Sequence, residues 1–409
     1  MALGVTSGTG DEAARSPAPP ASAGADGGAS GRDGPTTTAP PRSFTLVATG
    51  DVLLHRPLWE QASADAAAAG TGGRDFRPLL AGVAGLVGGA DLAICHLETP
   101  VAEPGGPNHG YPTFSVPPEI VPALAGTGFD ACTTASNHTF DQGAAGVDRT
   151  LAALDTAGLR HAGSARSATE SAATTLLPVA GADVALLSYT YGFNGIPPPN
   201  GEAWRADPID RTRILGDAAA ARAAGAEVVV VSLHWGDEYR AEPNAQQRSL
   251  GPDLVRSPDV DLVLGHHAHV VQPVEPVDGE WVVYGMGNMV AHHGTPGAPN
   301  EEGLLVRFTF SEGPRGWRVT RAEYAALLVV KPGPPIRVVD VGATLAQGTA
   351  DPALGERLRL AWDRTTATVS ALGATAHGMT PTPTGGSGAG RRSTGGTVAP
   401  HRDLVPPSP

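Results

Sequence analysis

Six short apolar segments, far apart in the chain, each end in side chains of the types that bind metal ions. The polar residues at these ends are Asp51, Glu98, Asn137 with His138, His234, His266 with His269, and Asn288. Side chains carried at the ends of successive strands converge when those strands form one sheet. The pattern therefore predicts an α/β protein with a metal-dependent active site at the strand ends.

The order of the predicted elements supports this fold class. Helical spacing of apolar residues occurs at 75–90, 118–129, 143–158, 210–225 and 245–256, with apolar strand-like runs between them. In the third of these helices Val147, Leu151 and Leu154 share one face. A hairpin is predicted at 176–191, and after residue 281 strands follow one another without helices. Helices and strands alternate first, and strands without helices follow. This order predicts an α/β core that merges into antiparallel pairs of strands.

Composition divides the chain into four parts. Residues 1–42 form a linker rich in Ala, Gly and Pro, which cannot bury a core and is predicted to be disordered. Residues 43–345 carry all the motifs and are predicted to form one domain. A helix is predicted over 351–372, so residues 346–372 are predicted to form a C-terminal helical extension. The composition of residues 373–409 predicts a disordered tail.

Charge and hydropathy limit the partners and the location. The formal net charge of −13 argues against nucleic acid as a main partner, because phosphate binding needs a basic surface. No apolar run approaches the roughly 18–20 residues that span a bilayer, and the first residues do not have the pattern of a signal peptide. Taken literally, the chain is cytosolic. A linker of this kind often follows a membrane anchor, so a missing or misassigned start is the alternative.

Cys95 and Cys132 each lie in an apolar run just before a motif. Cysteine is often buried as a small hydrophobic residue. We therefore expect two buried free thiols in preference to a disulfide.

The GHHAH segment is the strongest single motif. His266 and His269 flank a tight turn after an apolar strand, and a neutral imidazole nitrogen binds Zn, Mn or Fe. The alternative is a surface turn with three histidines. His234, which ends another strand of the buried type, favours the metal site. His292 and His293 are interpreted as surface residues.

Two carboxylates end buried runs. Asp51 follows a glycine that lets the backbone turn, and its alternative role is to cap the next turn or helix. Glu98 has apolar neighbours, where a carboxylate without a cation is costly. A metal partner explains both, and Glu98 is a candidate to bridge two ions.

The segment SNHTFDQG combines an amide, an imidazole and a carboxylate. Asn137 offers its side-chain oxygen to a metal. His138, one residue later, is predicted to be a general acid, with Asp141 orienting the imidazole. The alternative is a turn centred on the asparagine.

Together these motifs resemble those of the CapA (PGA_cap) family, the poly-γ-glutamate capsule biosynthesis proteins related to calcineurin-like metallophosphatases. The matching stretches are GDVLLHR (50–56), HLETPV (96–101), FSVPPE (114–119), the segment 135–164 that begins ASNHTFDQG, SYTYGFNG (188–195), SLHWGDEY (232–239), GHHAHVVQPVE (265–275) and YGMGNMV (284–290). The likeness covers about residues 43–330 in the family's order.

The resemblance implies a four-layer α/β/β/α sandwich of the metallophosphatase-like type, with one or two divalent ions (Mn, Fe or Zn) at the strand ends. It implies that the metal ligands are Asp51, Glu98, Asn137, His234, His266 and His269, with His138 as the acid. It also implies a cell-surface or extracytoplasmic location. The implied partners are an anionic polymer such as poly-γ-glutamate, or a phosphoester, and components of a membrane synthase.

The sequence departs from the phosphatase pattern at three places, and the first two departures leave the number of metals open. Leucine stands at position 53, where a second ligand is expected, and His55 lies four residues after Asp51 instead of two. The bridging carboxylate is Glu98 instead of an aspartate. In the last motif two residues, instead of one, separate His266 from His269. All three departures are in keeping with the capsule family.

A second group of residues is predicted to contact substrate or to support the ligands. Its members are His55, His96, Asn194, Trp235, Glu238 and Asn288. His55 either replaces the missing ligand or is a loop histidine, and His96 shares the strand face of Glu98. Asn194, in a loop rich in Gly and Pro, is a candidate to touch substrate, whereas Trp235 is interpreted as packing more than as recognition.

Three functions are compatible with these patterns. The leading hypothesis is a metal-dependent hydrolase that acts on or handles an anionic cell-surface polymer. The second is a non-catalytic accessory that binds polymer for a membrane synthase or exporter. The third is a calcineurin-type phosphodiesterase.

Overall fold

Two β-sheets stack face to face, and helices cover the outer face of each sheet. The computed structural model describes residues 41–293, 297–331, 333 and 335–384. The strands are β1 (Ser43–Val52), β2 (Leu92–Leu97), β3 (Ala131–Thr133), β4 (Arg160–Ala162), β5 (Thr175–Val179), β6 (Ala182–Thr190), β7 (Val228–His234), β8 (Leu262–His266), β9 (Val274–Val277), β10 (Glu280–Val283), β11 (Asn288–Val290), β12 (Glu302–Gly313), β13 (Gly316–Val330), β14 (Arg337–Asp340) and β15 (Thr380–Pro381). The helices are α1 (Arg56–Ala68), α2 (Arg77–Leu80), α3 (Ala84–Gly88), α4 (Ile120–Thr127), α5 (Gly143–Thr156), α6 (Ala168–Ser171), α7 (Arg211–Ala223), α8 (Ala245–Val255), α9 (Val341–Gln347) and α10 (Pro352–Ser370).

The larger sheet has the strand order β14-β13-β12-β1-β2-β3-β4, with β11 paired to β1 and β15 to β13. The smaller sheet has the order β5-β6-β7-β8-β10-β9. One apolar cluster fills the space between the sheets, a second packs the larger sheet on α1–α5, and a third packs the smaller sheet on α7 and α8. The predicted four-layer α/β/β/α architecture is confirmed.

Alternation along β7 shows how the sequence builds these layers. Val228 and Val230 pack between the sheets, whereas Val229 and Val231 pack toward α7 and α8. A parallel strand buried on both faces needs this continuous apolar run. The same period of two turns His234 into the space between the sheets. Because β7 and β8 are parallel and pair His234 with His266, both histidines leave the sheet at the same edge.

The larger sheet brings its own strand ends to this edge. Strands β1 and β2 are parallel and pair Asp51 with His96, and β1 also pairs Asp51 with Asn288 of β11. Gly50 permits the close approach of β11, because a Cβ atom there would lie 2.2 Å from the carbonyl oxygen of Gly287. The polar ends of both sheets therefore meet between them.

Most of the predicted elements are present, with one clear difference. Helices α5, α7 and α8 and the β5–β6 hairpin confirm the predictions for those segments. The single helix predicted over 75–90 is instead two short helices, α2 and α3. Gly82, between them, lies against β14, where a Cβ atom would be 2.3 Å from the carbonyl oxygen of Val338. This backbone contact interrupts the helix.

The C-terminal part packs on the larger sheet. Helix α10 confirms the helix predicted over 351–372, and its Leu358 and Ala361 pack on β13. The described chain continues beyond the predicted boundary at residue 373, because β15 pairs with β13 and Met379 is buried. The rest of the predicted tail, and the predicted linker up to residue 40, lie outside the described residues. Among the described helices, none has the length and apolar character needed to cross a bilayer.

Cys95 and Cys132 form a disulfide, so the prediction of free thiols is wrong, although both residues are buried as expected. The parallel strands β2 and β3 pair these two residues directly, with their Cα atoms 4.4 Å apart. That register joins segments far apart in the sequence, and the local pattern does not contain it.

Glu280, on β10, offers a test of the fold by pH. Its Oε2 atom is buried without a hydrogen-bond partner, and burial, with the neighbouring Asp261 carboxylate, raises the pKa of Glu280 to about 7. The folded protein therefore binds this proton more tightly than the unfolded chain does. The resulting stabilisation is fully present below the pKa that Glu280 has in the unfolded chain, and it is lost as the pH rises through about 7.

The amide introduced by Glu280→Gln cannot ionise. The free energy of unfolding of this variant, relative to that of wild type, should therefore rise by about 1 kcal/mol from pH 5 to pH 8, a value that allows for solvent screening. Urea unfolding at both pH values measures this difference. Glu356→Gln, at an exposed position, is the matched control and should show no such trend. An equal effect of Glu280→Gln at both pH values would contradict the prediction.

Candidate metal centre

The strand ends bring a cluster of carboxylate and imidazole groups together between the sheets. Its members have exposures from 0 to 4%, and they are Asp51, His96, Glu98, Asn137, His234, His266, His267 and His269. All six residues predicted to bind metal belong to this cluster. Two further histidines join them: His96, which was predicted as a supporting residue, and His267, for which no role was predicted.

Asp51 is the most strongly hydrogen-bonded member of the cluster. Its Oδ1 atom lies 3.0 Å from Nδ1 of His266, and its Oδ2 atom lies 3.0 Å from Nδ1 of His269. The backbone N–H of His267 also donates to Oδ2, at 3.2 Å. Burial alone would raise the pKa of Asp51, but the bonds from His266 and His269 hold it well below its usual value. Asp51 is therefore an anion at neutral pH.

Glu98 has the opposite environment. Its Oε1 atom lies 3.7 Å from Nε2 of His269 and 3.9 Å from Nε2 of His234, beyond hydrogen-bond distance. Both carboxylate oxygens are buried without a hydrogen-bond partner. Burial raises the pKa of Glu98 to about 7. A buried carboxylate without partners is costly unless a cation neutralises it, so the residues present fit a metal ion.

The turn after β8 aims three imidazoles at the cluster. His267 and His269 have φ angles of +88° and +55°, a conformation that residues other than glycine adopt infrequently. Backbone strain of this kind concentrates at functional sites. Nδ1 of His267 is also buried without a hydrogen-bond partner. The middle histidine of GHHAH, His267, was visible in the sequence. The direction of its side chain, however, depends on this unusual backbone.

Several sets of three side chains could each hold an ion, because their ligand atoms lie within 4.8 Å of one another. The sets are Asp51, His96 and His266; Glu98, His234 and His267; Asp51, Glu98 and His269; and Glu238, His267 and His269. Asn137 lies beside the second set, with its Oδ1 atom 2.9 Å from Nε2 of His234. Mixed imidazole and carboxylate donors suit Mn, Fe or Zn.

His138 and Asp141 form a pair at the edge of the cluster. Nδ1 of His138 lies 2.7 Å from Oδ2 of Asp141, and the backbone N–H of Phe114 donates to the same oxygen at 2.7 Å. The ring of Phe114 meets the ring of His138 edge-on, with centroids 4.8 Å apart. The imidazole is therefore held in one orientation.

Two of the predicted supporting residues hold cluster members by hydrogen bonds. Asn288 approaches Nδ1 of His269 with its Oδ1 atom at 3.1 Å and donates to the carbonyl oxygen of the same residue at 3.2 Å. Asn194 accepts a hydrogen bond from Nδ2 of Asn137 at 3.3 Å. Glu238 lies at the exposed side of the cluster, near His267 and His269.

Two other predicted residues do not reach the cluster. Trp235 is buried on the outer face of the smaller sheet, where its Nε1 donates to the carbonyl oxygen of Tyr284. Alternation turns it away from His234, so its side chain packs on the outer face of the smaller sheet and does not reach the cluster. His55 occupies the N-cap position of α1 without a side-chain hydrogen bond to the helix, and its ring packs on Phe114 and His293.

The rim contains residues that the sequence analysis missed. Tyr191 is 44% exposed and Tyr239 is 52% exposed. Their ring centroids lie 4.6 Å from that of His267 and 6.1 Å from that of His269, respectively. His293, interpreted as a surface residue, instead lies 4.9 Å from the ring of His269, because the chain after β11 folds back over the cluster.

Comparison with known proteins agrees with the motifs. The family model described as "Bacterial capsule synthesis protein PGA_cap" matches residues 45–293. The "Capsule biosynthesis protein CapA" of Bacillus anthracis is 29% identical over 184 residues, which are 44% of this chain and 44% of that protein. A "Probable polyglutamine synthesis accessory protein" of Mycobacterium tuberculosis is 27% identical over 216 residues, 49% of this chain and 55% of that protein. The chain thus spans about half the length of these curated relatives.

Among solved structures, a calcineurin-like phosphoesterase of Bacillus subtilis aligns with a TM-score of 0.42 and 14% identity, covering 80% of this chain and 98% of that one. The family match over residues 45–293 includes every strand end that contributes to the cluster. Because this match covers more than half of the chain, the protein belongs to the PGA_cap family of bacterial capsule synthesis proteins.

Proposed function

We propose that this protein is a metal-dependent hydrolase of capsule synthesis that acts on or handles an anionic cell-surface polymer such as poly-γ-glutamate. One observation carries the proposal: the buried carboxylate of Glu98 has no hydrogen-bond partner and faces ring nitrogens of His234 and His269. Membership of the capsule family supports the polymer as the class of substrate.

The ligands of the proposed site are Asp51, Glu98, Asn137, His234, His266 and His269, with Mn, Fe or Zn as the ion. When bound, such an ion polarises an acyl or phosphoryl oxygen and lowers the pKa of a coordinated water. The protein excludes bulk water from this region, because the cluster is almost fully buried between the sheets. Electrostatic interactions are stronger in such surroundings.

His138 is the proposed proton donor. Its Nδ1–H donates a hydrogen bond to the carboxylate of Asp141, and that carboxylate also accepts a hydrogen bond from the backbone N–H of Phe114. Nε2 is then the nitrogen free to exchange a proton with the leaving group. The Asp141 carboxylate also holds the imidazole in this orientation.

The polymer would approach across the exposed rim. Tyr191 and Tyr239 offer aromatic faces and hydroxyl groups on either side of the cluster. Asn194 lies between Tyr191 and Asn137, with its Oδ1 atom 3.4 Å and 3.3 Å from their polar atoms. These neutral side chains can position an extended chain by hydrogen bonds and by contact with its methylene groups.

Metal binding is the first test. Metal-free protein should bind Mn, Fe or Zn, and an ion at 100 times its Kd should add about 2.7 kcal/mol of stability, which is a rise of about 5 °C in Tm. Calorimetric titration and thermal unfolding measure the two effects. Absence of binding for all three ions would refute the proposal.

A non-catalytic accessory is the second candidate, and the name "accessory protein" given to the Mycobacterium tuberculosis relative favours it. Such a protein would bind polymer for a membrane synthase and would not shorten it. Incubation of the metal-loaded protein with poly-γ-glutamate, followed by size analysis of the polymer, separates the two functions. Shortening supports the hydrolase, and binding without shortening supports the accessory.

A further inference from the structure

A cavity of about 510 Å³ lies at the edge of the smaller sheet, and within the described part of the chain no residue of the metal cluster lines it. Strand β5 pairs with β6 only as far as Leu186, although β6 continues to Thr190. The segment that follows β4, together with helices α6 and α7, surrounds the gap. Sites for small molecules have volumes of about 300–1,000 Å³, so this cavity is large enough to be one.

The lining of the cavity includes a hydroxyl group without a partner. Ser188, on β6, is 3% exposed, and its Oγ atom is buried without a hydrogen-bond partner. The hydroxyl faces Gly163, where a Cβ atom would lie 2.7 Å from Oγ, so a side chain at position 163 would displace it. Both residues belong to stretches that match the family motifs, 135–164 and 188–195, but neither belongs to the metal cluster. Since buried polar groups are almost always hydrogen-bonded, we expect this hydroxyl to bond to a molecule in the cavity.

Two carboxylates share one guanidinium group in the lining of the cavity. A terminal nitrogen of Arg213, on α7, lies 2.5 Å from Oδ1 of Asp207, and its Nε donates to Oδ2 of Asp217 at 3.4 Å. The hydroxyl of Tyr189 donates to the same oxygen of Asp217 at 2.9 Å. The contact with Oδ1 of Asp207 does not have hydrogen-bond geometry, so this oxygen is left without a hydrogen bond. These ionic groups therefore carry one more negative charge than positive charge.

Asp207 is the carboxylate that a further cation would stabilise most. Its side chain is 17% exposed, whereas that of Asp217 is 42% exposed. Burial raises the pKa of Asp207 to about 6, against the opposing effect of Arg213. A positive charge beside a buried carboxylate favours its charged form. The third carboxylate of the lining, Glu170, already pairs with Arg166.

The arrangement of these groups fits a ligand that carries an ammonium group next to a carboxylate. Asp207 and Asp217 can accept hydrogen bonds from the ammonium group. Arg213 uses only Nε and one terminal nitrogen for the two aspartates, so its other N–H groups can donate to a carboxylate. The hydroxyl of Ser188 is a further donor, and the half-buried indole of Trp204 in the same lining offers an apolar face to methylene groups.

We propose that this cavity binds the α-amino acid group of a small molecule or chain end, with the ammonium group at Asp207 and the carboxylate at Arg213. Two sources present the same group. One is free glutamate, and the other is the amino-terminal residue of a γ-linked glutamate chain, which carries a free α-ammonium group beside its α-carboxylate. The choice of glutamate rests on the proposed function, whereas the charge pattern of the cavity is independent of it.

Calorimetric titration of the full-length protein tests the inference. The probes are glutamate of either hand, the γ-linked trimer of glutamate, and the same trimer acetylated on its amino group. We expect the unmodified probes to bind at one site per chain. Acetylation should weaken binding of the trimer by about 10–100-fold, because it removes the charged hydrogen-bond donor. Tighter binding of free glutamate would assign the site to the amino acid, and tighter binding of the trimer would assign it to the chain end.

Two variants place the binding in this cavity. Asp207→Asn should weaken binding by about 10–100-fold, because the charge opposite the ammonium group is lost. Ser188→Ala should weaken it by several-fold, and this variant breaks no hydrogen bond of the folded protein. Both variants should bind Mn²⁺ as wild type does, since neither residue belongs to the metal cluster. Asp363→Asn, at an exposed position on α10, is the matched control and should bind every probe as wild type does.

Equal affinity for the trimer with and without the acetyl group would overturn the inference. Wild-type affinity in both Asp207→Asn and Ser188→Ala, or the absence of binding for every probe, would overturn it as well. Each of these results leaves the proposed function standing, because that function is judged by metal content and polymer length. A protein that binds glutamate in this cavity but binds no metal would overturn the proposed function alone.

Discussion

Replacement of Glu98 by glutamine is expected to have two effects of opposite sign. In the metal-free protein at pH 8, removal of a buried, unpartnered carboxylate should stabilise the fold by about 2 kcal/mol. In the presence of metal, the same change should weaken binding by more than about 100-fold, because changes to groups that merely orient ligands already cost 10–100-fold. A residue with a structural role alone would not show this reversal.

Urea unfolding of the metal-free protein measures the first effect, and calorimetric titration with Mn²⁺ measures the second. Glu238→Gln is the matched control, because its carboxylate is close to the same histidines but exposed to solvent. This control should not stabilise the metal-free protein. A Glu98→Gln protein that is less stable without metal, and binds Mn²⁺ as wild type does, would contradict the account of the site.

Replacement of His138 by alanine is expected to lower kcat for polymer cleavage by about 10²–10⁴-fold, the usual contribution of a positioned general acid. Metal content should stay unchanged, because His138 belongs to none of the ligand sets within the described residues. Asp141→Asn should have a smaller effect in the same direction, since it keeps a hydrogen-bond acceptor for the imidazole but removes the charge.

His161→Ala is the control for loss of a histidine, because this residue pairs with Asp155 at a distance of 3.2 Å and takes no part in the proposed site. Its kcat should match that of wild type. If cells that carry His138→Ala instead make capsule polymer of the same amount and size as cells that carry wild type, the protein acts as a non-catalytic accessory and His138 is not a proton donor.

Much of the fold was predictable because its signals are local. The buried strands β7 and β8 are continuous apolar runs, and α5 shows its buried face through Val147, Leu151 and Leu154. The failures arose where distant segments meet. The helix predicted over 75–90 is interrupted by contact of Gly82 with β14, and the disulfide of Cys95 depends on its register with β3.

The candidate site divides in the same way. Glu98 and His234 could be predicted as cluster members, because each ends a buried run in a parallel strand. His267 could not, because its direction depends on a left-handed backbone in the turn after β8. The exposed rim residues Tyr191 and Tyr239 were also missed, because their loops carry no periodic pattern.

The sequence by itself determined which apolar segments end in side chains of the types that bind metal ions, and hence the family. Only the tertiary structure decided which neighbouring side chains join them: His96 enters the cluster, whereas Trp235 and Leu53 turn away from it. The physical reason is that composition and periodicity are properties of one segment. Register between strands, and therefore the set of atoms around an ion, is a property of pairs of segments that are far apart in the chain.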